Sequence, residues 1–189
     1  YWERQNFSLM SKSAYSIPGK IGKLHTHIIV VWVDNESGVL ARVVGLFSGR
    51  GYNIESLAVA EVDAKNNISR ITIVTTGSTQ VIEQIKLQLK KLVPVHRVAD
   101  FKREDKNVIF KEMALFKVVG SNSKKEKALK ACKKYNAVIL DKTSKSYVIQ
   151  ITALRREIDI AAKSLKKYGL VSISRTGAVA MTRGSEVFK

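Results

Sequence analysis

From Leu24 to Asp34 the chain carries an unbroken apolar run, Ile28-Ile29-Val30-Val31-Trp32-Val33, of the β-branched and aromatic type that forms strands. Asn35, Glu36 and Ser37 break it as turn and N-cap residues, and apolar positions then return at helical spacing as Val39, Leu40, Val43 and Phe47. That spacing predicts a helix over Ser37–Arg50, with Gly49 and Gly51 at its C-terminus where the backbone turns left-handed. A strand is expected over Asn53–Asp63, a polar turn at Ala64-Lys65-Asn66-Asn67, and a strand over Ile68–Thr76. Ser78 is placed to cap a second helix whose face is Ile82, Ile85, Leu89 and Leu92. Pro94 ends it, and Val95–Phe101 returns as a strand.

The order is βαββαβ, which predicts an α+β, ferredoxin-like unit with both helices on one face of an antiparallel sheet. A charged run without periodicity, Lys102 to Val108, reads as a linker, and the same order then repeats. Strands are expected at Ile109–Val119, Ala137–Asp141, Tyr147–Ala153 and Leu170–Met181, with helices at Lys124–Tyr135 and Arg155–Tyr168. The division is therefore a tail at 1–23, a first domain at 24–101, a linker at 102–108, a second domain at 109–184 and a tail at 185–189. At 189 residues the chain is long enough for two small domains with a core each.

Charge changes this picture only in its second half. The net +17 is spread as +3 over the first 23 residues, +1 from Leu24 to Asp100 and +13 from Phe101 onward. Lysine dominates the excess, and Lys124, Lys125, Lys127, Lys130, Lys133 and Lys134 are expected to form one solvated helix face. A basic nucleic-acid-binding or amino-acid-responsive transcriptional regulator is the competing reading. No interleaving of arginine with aromatics and no helix-turn-helix segment supports it. The single Cys132 is expected to pack in a helix and cannot form an internal disulfide, and His25, His27 and His96 stand without partners at metal spacing. No metal site and no catalytic residue are expected, since there is neither a glycine-rich phosphate loop nor a nucleophile–base pair. No apolar run approaches the roughly 20 residues of a membrane span.

The run Asp34-Asn35-Glu36-Ser37-Gly38-Val39-Leu40, its continuation Arg50-Gly51-Tyr52-Asn53-Ile54-Glu55-Ser56, the stretch Leu89-Lys90-Lys91-Leu92-Val93-Pro94-Val95 and Ser174-Arg175-Thr176-Gly177 closely resemble the regulatory (small) subunit of acetolactate synthase. The resemblance covers Leu24 to Gly184 and implies that the first domain is an ACT domain. It implies a homodimer through that domain, a catalytic subunit as partner and L-valine or a related branched-chain amino acid as effector. Thiamine diphosphate, magnesium and FAD would belong to the partner. The effector positions it implies are Asn35, Gly38, Val39, Leu40, Asn53 and Ile54. Backbone N–H groups of Gly38, Val39 and Leu40 would take a carboxylate, as helix starts do. The side-chain carbonyls of Asn35 and Asn53 would accept from an ammonium, and Ile54 and Val59 would offer apolar surface. The plain alternative is a capped helix on a sheet, with Asn35 and Asn53 as cap and turn residues. Arg42, Glu55 and the Ser174–Gly177 run are expected to make surface, dimer or subunit contacts. The expected location is bacterial-type cytoplasm, with a plastid as the alternative.

Overall fold

The computed structural model describes residues 23–103 and 105–185. Most of the expected 1–23 tail and all but Ser185 of the 185–189 tail lie outside these residues. The first unit runs β1 (His25–Asp34), α1 (Val39–Ser48), β2 (Ser56–Asp63), β3 (Ile68–Gly77), α2 (Thr79–Leu89) and β4 (Val95–Lys102). Its strands lie in the order β2-β3-β1-β4, every neighbouring pair antiparallel. Alternation along β1 sends Ile29, Val31 and Val33 to the helix side, where Val43, Phe47, Ile82, Ile85 and Leu89 close over them. Phe47 is fully buried, a burial that stabilises by about 1.5–3 kcal/mol. Ser78 caps α2 as expected, its hydroxyl accepting from the Val81 N–H. Leu92 lies beyond the helix yet packs against the same core.

The second unit runs β5 (Val108–Val119), α3 (Asn122–Cys132), a 3-10 turn at Lys133–Tyr135, β6 (Val138–Lys142), β7 (Ser146–Ala153), α4 (Arg155–Lys166) and β8 (Leu170–Thr182). Its strand order, β6-β7-β5-β8, repeats that of the first. Cys132 ends α3 and is buried, and its neighbourhood pushes the thiol up to about 11 by desolvation. Lys125 departs from the expected solvated face. It is fully buried, and its ammonium donates to the carbonyls of Thr143 (3.0 Å) and Ser144 (2.5 Å) over the Tyr147 ring. It thereby satisfies the β6–β7 turn, a role set by a partner 18 residues away.

Two element ends shift because of pairing that local pattern does not show. Lys102 pairs with His27 and Val108 with Thr182, so both expected linker ends are in strands and 103–107 connects them. The strand expected from Asn53 begins at Ser56. The two units also share a third core. On the far face of the first sheet Ile28, Val30 and Val74 pack against Val108, Ala178 and Ala180, with Trp32 and Phe110 at the margin. Val108 and Phe110 lie on the same face of β5 as Phe116, so one long strand serves the helices of its own unit and the open sheet of the other.

Candidate effector site

α1 starts without a side-chain cap. Gly38, and neither Asn35 nor Ser37, is the N-cap residue, with φ +86° and its carbonyl accepting from the Arg42 N–H at 3.0 Å. Nothing lies within 4 Å of where a Gly38 Cβ would stand, so the helix start opens to solvent. No acidic side chain occupies the first turn. The partial positive charge of the helix start is therefore unneutralised, and the Leu40 N–H has no intrahelical acceptor. The Val39 N–H makes only a long 3.4 Å contact to Glu36 O, and the Val39 side chain is in the core. Val39 thus offers its backbone alone, while Leu40 is 40% exposed.

Asn35 is tied down. Its N–H donates to Asn67 O at 2.7 Å, its Oδ1 accepts from the Ser69 hydroxyl at 3.0 Å, and its Nδ2 donates to Glu61 Oε1 at 3.4 Å. One Oδ1 lone pair is left for a ligand. Ser69, Asn67 and Glu61 were not legible as neighbours of Asn35, because only the β1–β3–β2 register assembles them. The same turn holds the Asp63 carboxyl below its ordinary value, through the side chain and then the backbone N–H of Asn66.

Asn53 and Ile54 sit at the other end of the sheet. Asn53 is exposed, its carbonyl accepting from Thr75 Oγ1 at 2.7 Å, and Thr75 pairs with His27 at the start of β1. Asn35 follows the end of β1 eight residues on, which at strand rise is roughly 26 Å. Ile54 packs partly into the helix-side core. Within one chain, then, Asn35, Gly38, Val39 and Leu40 are together, while Asn53 and Ile54 are together elsewhere. Both groups flank β2, which is the edge of its sheet. Among the described residues no three of His, Cys, Asp and Glu are gathered to hold a metal ion. No described helix is long and apolar enough to cross a membrane.

The βαββαβ order and the β2-β3-β1-β4 sheet make the first unit a ferredoxin-like α+β domain, and the left-handed Gly38 leaves its α1 start without a side-chain cap. A family model described as an AHAS small subunit-like ACT domain matches residues 29–97, and one described as the small subunit of acetolactate synthase matches 111–184. An acetolactate synthase small subunit from Aquifex aeolicus (strain VF5) is 38% identical over 163 residues, covering 86% of this chain and 83% of that protein. The acetolactate synthase isozyme 3 small subunit of Salmonella typhimurium is 37% identical over 163 residues, covering 86% and 98%. The crystal structure of the acetolactate synthase small subunit from Thermotoga maritima superposes with a TM-score of 0.77 at 32% identity, covering 85% of this chain and 99% of that one. The chain belongs to the acetolactate synthase small-subunit family. Its ACT domain implies a regulatory role, and its family implies a catalytic subunit as partner.

Proposed function

We propose that this chain activates an acetolactate synthase catalytic subunit and makes it subject to feedback inhibition by valine or a related branched-chain amino acid. Thiamine diphosphate, magnesium and FAD belong to the catalytic subunit in this reading, and the complex works in the cytoplasm. The effector binds between two protomers. The observation that carries this is the placement of the two residue groups at opposite ends of an edge strand. A two-fold axis beside the free edge of β2, level with its midpoint, sets the start of one β2 against the end of its partner's. That joins Asn35, Gly38 and Leu40 of one protomer to Asn53 and Ile54 of the other. Val59 and Val62, 44% and 52% exposed along β2, support burial of this edge against a second copy.

In such a site the α1 start holds the effector carboxylate, and the carbonyl oxygens of Asn35 and Asn53 hold its ammonium. The apolar side chain lies against Ile54 and Val59. Because the ligand touches both protomers it favours one relative orientation, and the catalytic subunit responds to that orientation. Coupling of this kind is reciprocal, so the catalytic subunit also changes effector affinity.

Calorimetric titration of L-valine into the full chain, with leucine and isoleucine alongside, tests the reading. Saturable binding of at least one of the three is expected. If none binds, alone or with the catalytic subunit present, the effector assignment falls.

A further inference from the structure

The Ser174-Arg175-Thr176-Gly177 run has no place in the effector site, yet the fold brings it against one half of that site. β8 carries a bulge there: Glu112 pairs with Ala178 and Ala114 with Arg175, leaving Thr176 and Gly177 opposite Met113. The bulge presses onto the start of β2. Ala178 N–H donates to Ser56 Oγ at 3.3 Å. A Cβ on Gly177 would stand 2.7 Å from Ser56 Oγ and 3.3 Å from the Leu57 carbonyl oxygen, and Gly177 has φ +81°. Arg175 anchors the bulge from behind. It grips the buried Glu112 carboxylate with Nε and Nη2, and donates Nη1 to Asp159 at 2.7 Å. Its bonds to Glu112 push the guanidinium pKa up.

One residue earlier, Glu55 joins the contact. Its Oε2 lies 3.6 Å from Arg155 Nη1 at the start of α4, and its Oε1 accepts from the Thr76 hydroxyl at 2.5 Å. Arg155 Nη1 makes no hydrogen bond, so its interaction with Glu55 is that of an ion pair. Glu55, Ser56, Leu57, Arg155, Arg175 and Gly177 line part of an open cleft of about 320 Å³ between the units. Asn53 and Ile54 immediately precede Glu55. They lie outside the β2 ladder, where Asn53 is held by the Thr75 hydroxyl and Glu55 by its N–H to Val74 O at 2.8 Å. With Ile54 packed partly into the core, the segment is held by turn and side-chain contacts and by no β2 ladder bonds, so contacts made on it from outside add to its hold.

We propose that the Thr176–Gly177 bulge and Arg155 form a latch by which the second unit positions the Asn53–Ile54 half of the effector site. Docking of the second unit on Glu55–Leu57 and effector binding are then linked, each favouring the other. The latch deepens the effector reading above and rests on it, but its effect on the chain segment is separately measurable. Arg155, Arg175 and Gly177 act here as positioning residues, and none touches the effector.

The test uses the full chain with Gly177→Ala, which wedges the contact, and Arg155→Gln, which removes the ion pair without altering the backbone. Ser56→Ala and the double variant Ser56→Ala/Gly177→Ala complete a cycle. Left-handed strain from an alanine at 177 is present in both the single and the double variant, so it cancels in the cycle. Two quantities are read: branched-chain amino-acid affinity, and hydrogen exchange of the amides of residues 53–57. Gly177→Ala and Arg155→Gln are expected to weaken affinity about 5- to 150-fold, the usual range of coupling between sites. Faster exchange should be confined to 53–57, with β1 and β3 unchanged. The double variant should bind more tightly than the two single losses multiplied together. Unchanged exchange at 53–57 in both Gly177→Ala and Arg155→Gln overturns the latch, as does faster exchange with wild-type affinity. If the wild-type chain binds no branched-chain amino acid while exchange at 53–57 still rises in the variants, the positioning contact stands and the effector reading fails.

Discussion

The composite site proposed between two protomers has a consequence that a site within one chain does not share. Asn35 and Asn53 are roughly 26 Å apart along the sheet, too far for one amino acid to touch both in the same protomer. In an Asn35→Ala homodimer both sites lack Asn35, and in an Asn53→Ala homodimer both lack Asn53. A mixed dimer of the two variants has one site with both asparagines intact and one with neither. A hydrogen bond to a charged group contributes about 1.5–3 kcal/mol, so each homodimer should lose roughly ten- to hundredfold in affinity. The mixed dimer, isolated with two different affinity tags, should recover wild-type affinity at half the wild-type number of sites. Calorimetry of the three dimers measures both quantities. If the mixed dimer shows no site of wild-type affinity, the effector does not bridge protomers through these asparagines and the reasoning from the sheet ends is wrong.

Gly38→Val puts a β-branched residue at φ +86° and a side chain over the first-turn N–H groups; inhibition by the effector should be lost while assembly with the catalytic subunit, followed by size-exclusion chromatography, persists. Loss of both would count against an effector at this turn. Lys125→Met leaves the Thr143 and Ser144 carbonyls without their donor, offset in part because no ammonium is then buried, and should cost about 2–4 kcal/mol in urea unfolding. Lys127→Met on the exposed side of α3 should stay within about 0.5 kcal/mol, and equal effects for the two would refute a structural role for Lys125. The Cys132 thiol, raised to about 11, should resist iodoacetamide at pH 8 in the native chain and react on unfolding. Because its folded value lies above its unfolded one, its contribution to stability is full below about pH 9 and declines from there towards pH 11; rapid native alkylation at pH 8 would contradict its burial.

Spacing alone determined much of this protein. The strand-type run of β1, the 3–4 residue recurrence of apolar positions in α1 and α2, Ser78 and Pro94 each act within one turn or one strand, so they are readable locally. The glycine-started turn after Asp34 was legible as a motif for the same reason, although its cap proved to be the glycine backbone and no polar side chain. What needed the tertiary structure is whatever depends on a partner far along the chain. Lys125 belongs to a lysine-rich helix by composition, and only the approach of the β6–β7 turn buries it. Ser69 and Glu61 meet Asn35 through strand register, and Lys102 and Val108 are strand residues because His27 and Thr182 stand opposite. The two groups of candidate effector residues are neighbours in a motif but lie at opposite ends of β2. The reason is that β1 and β2 run parallel on either side of β3, so a helix following one strand and a loop preceding the other cannot lie at the same end.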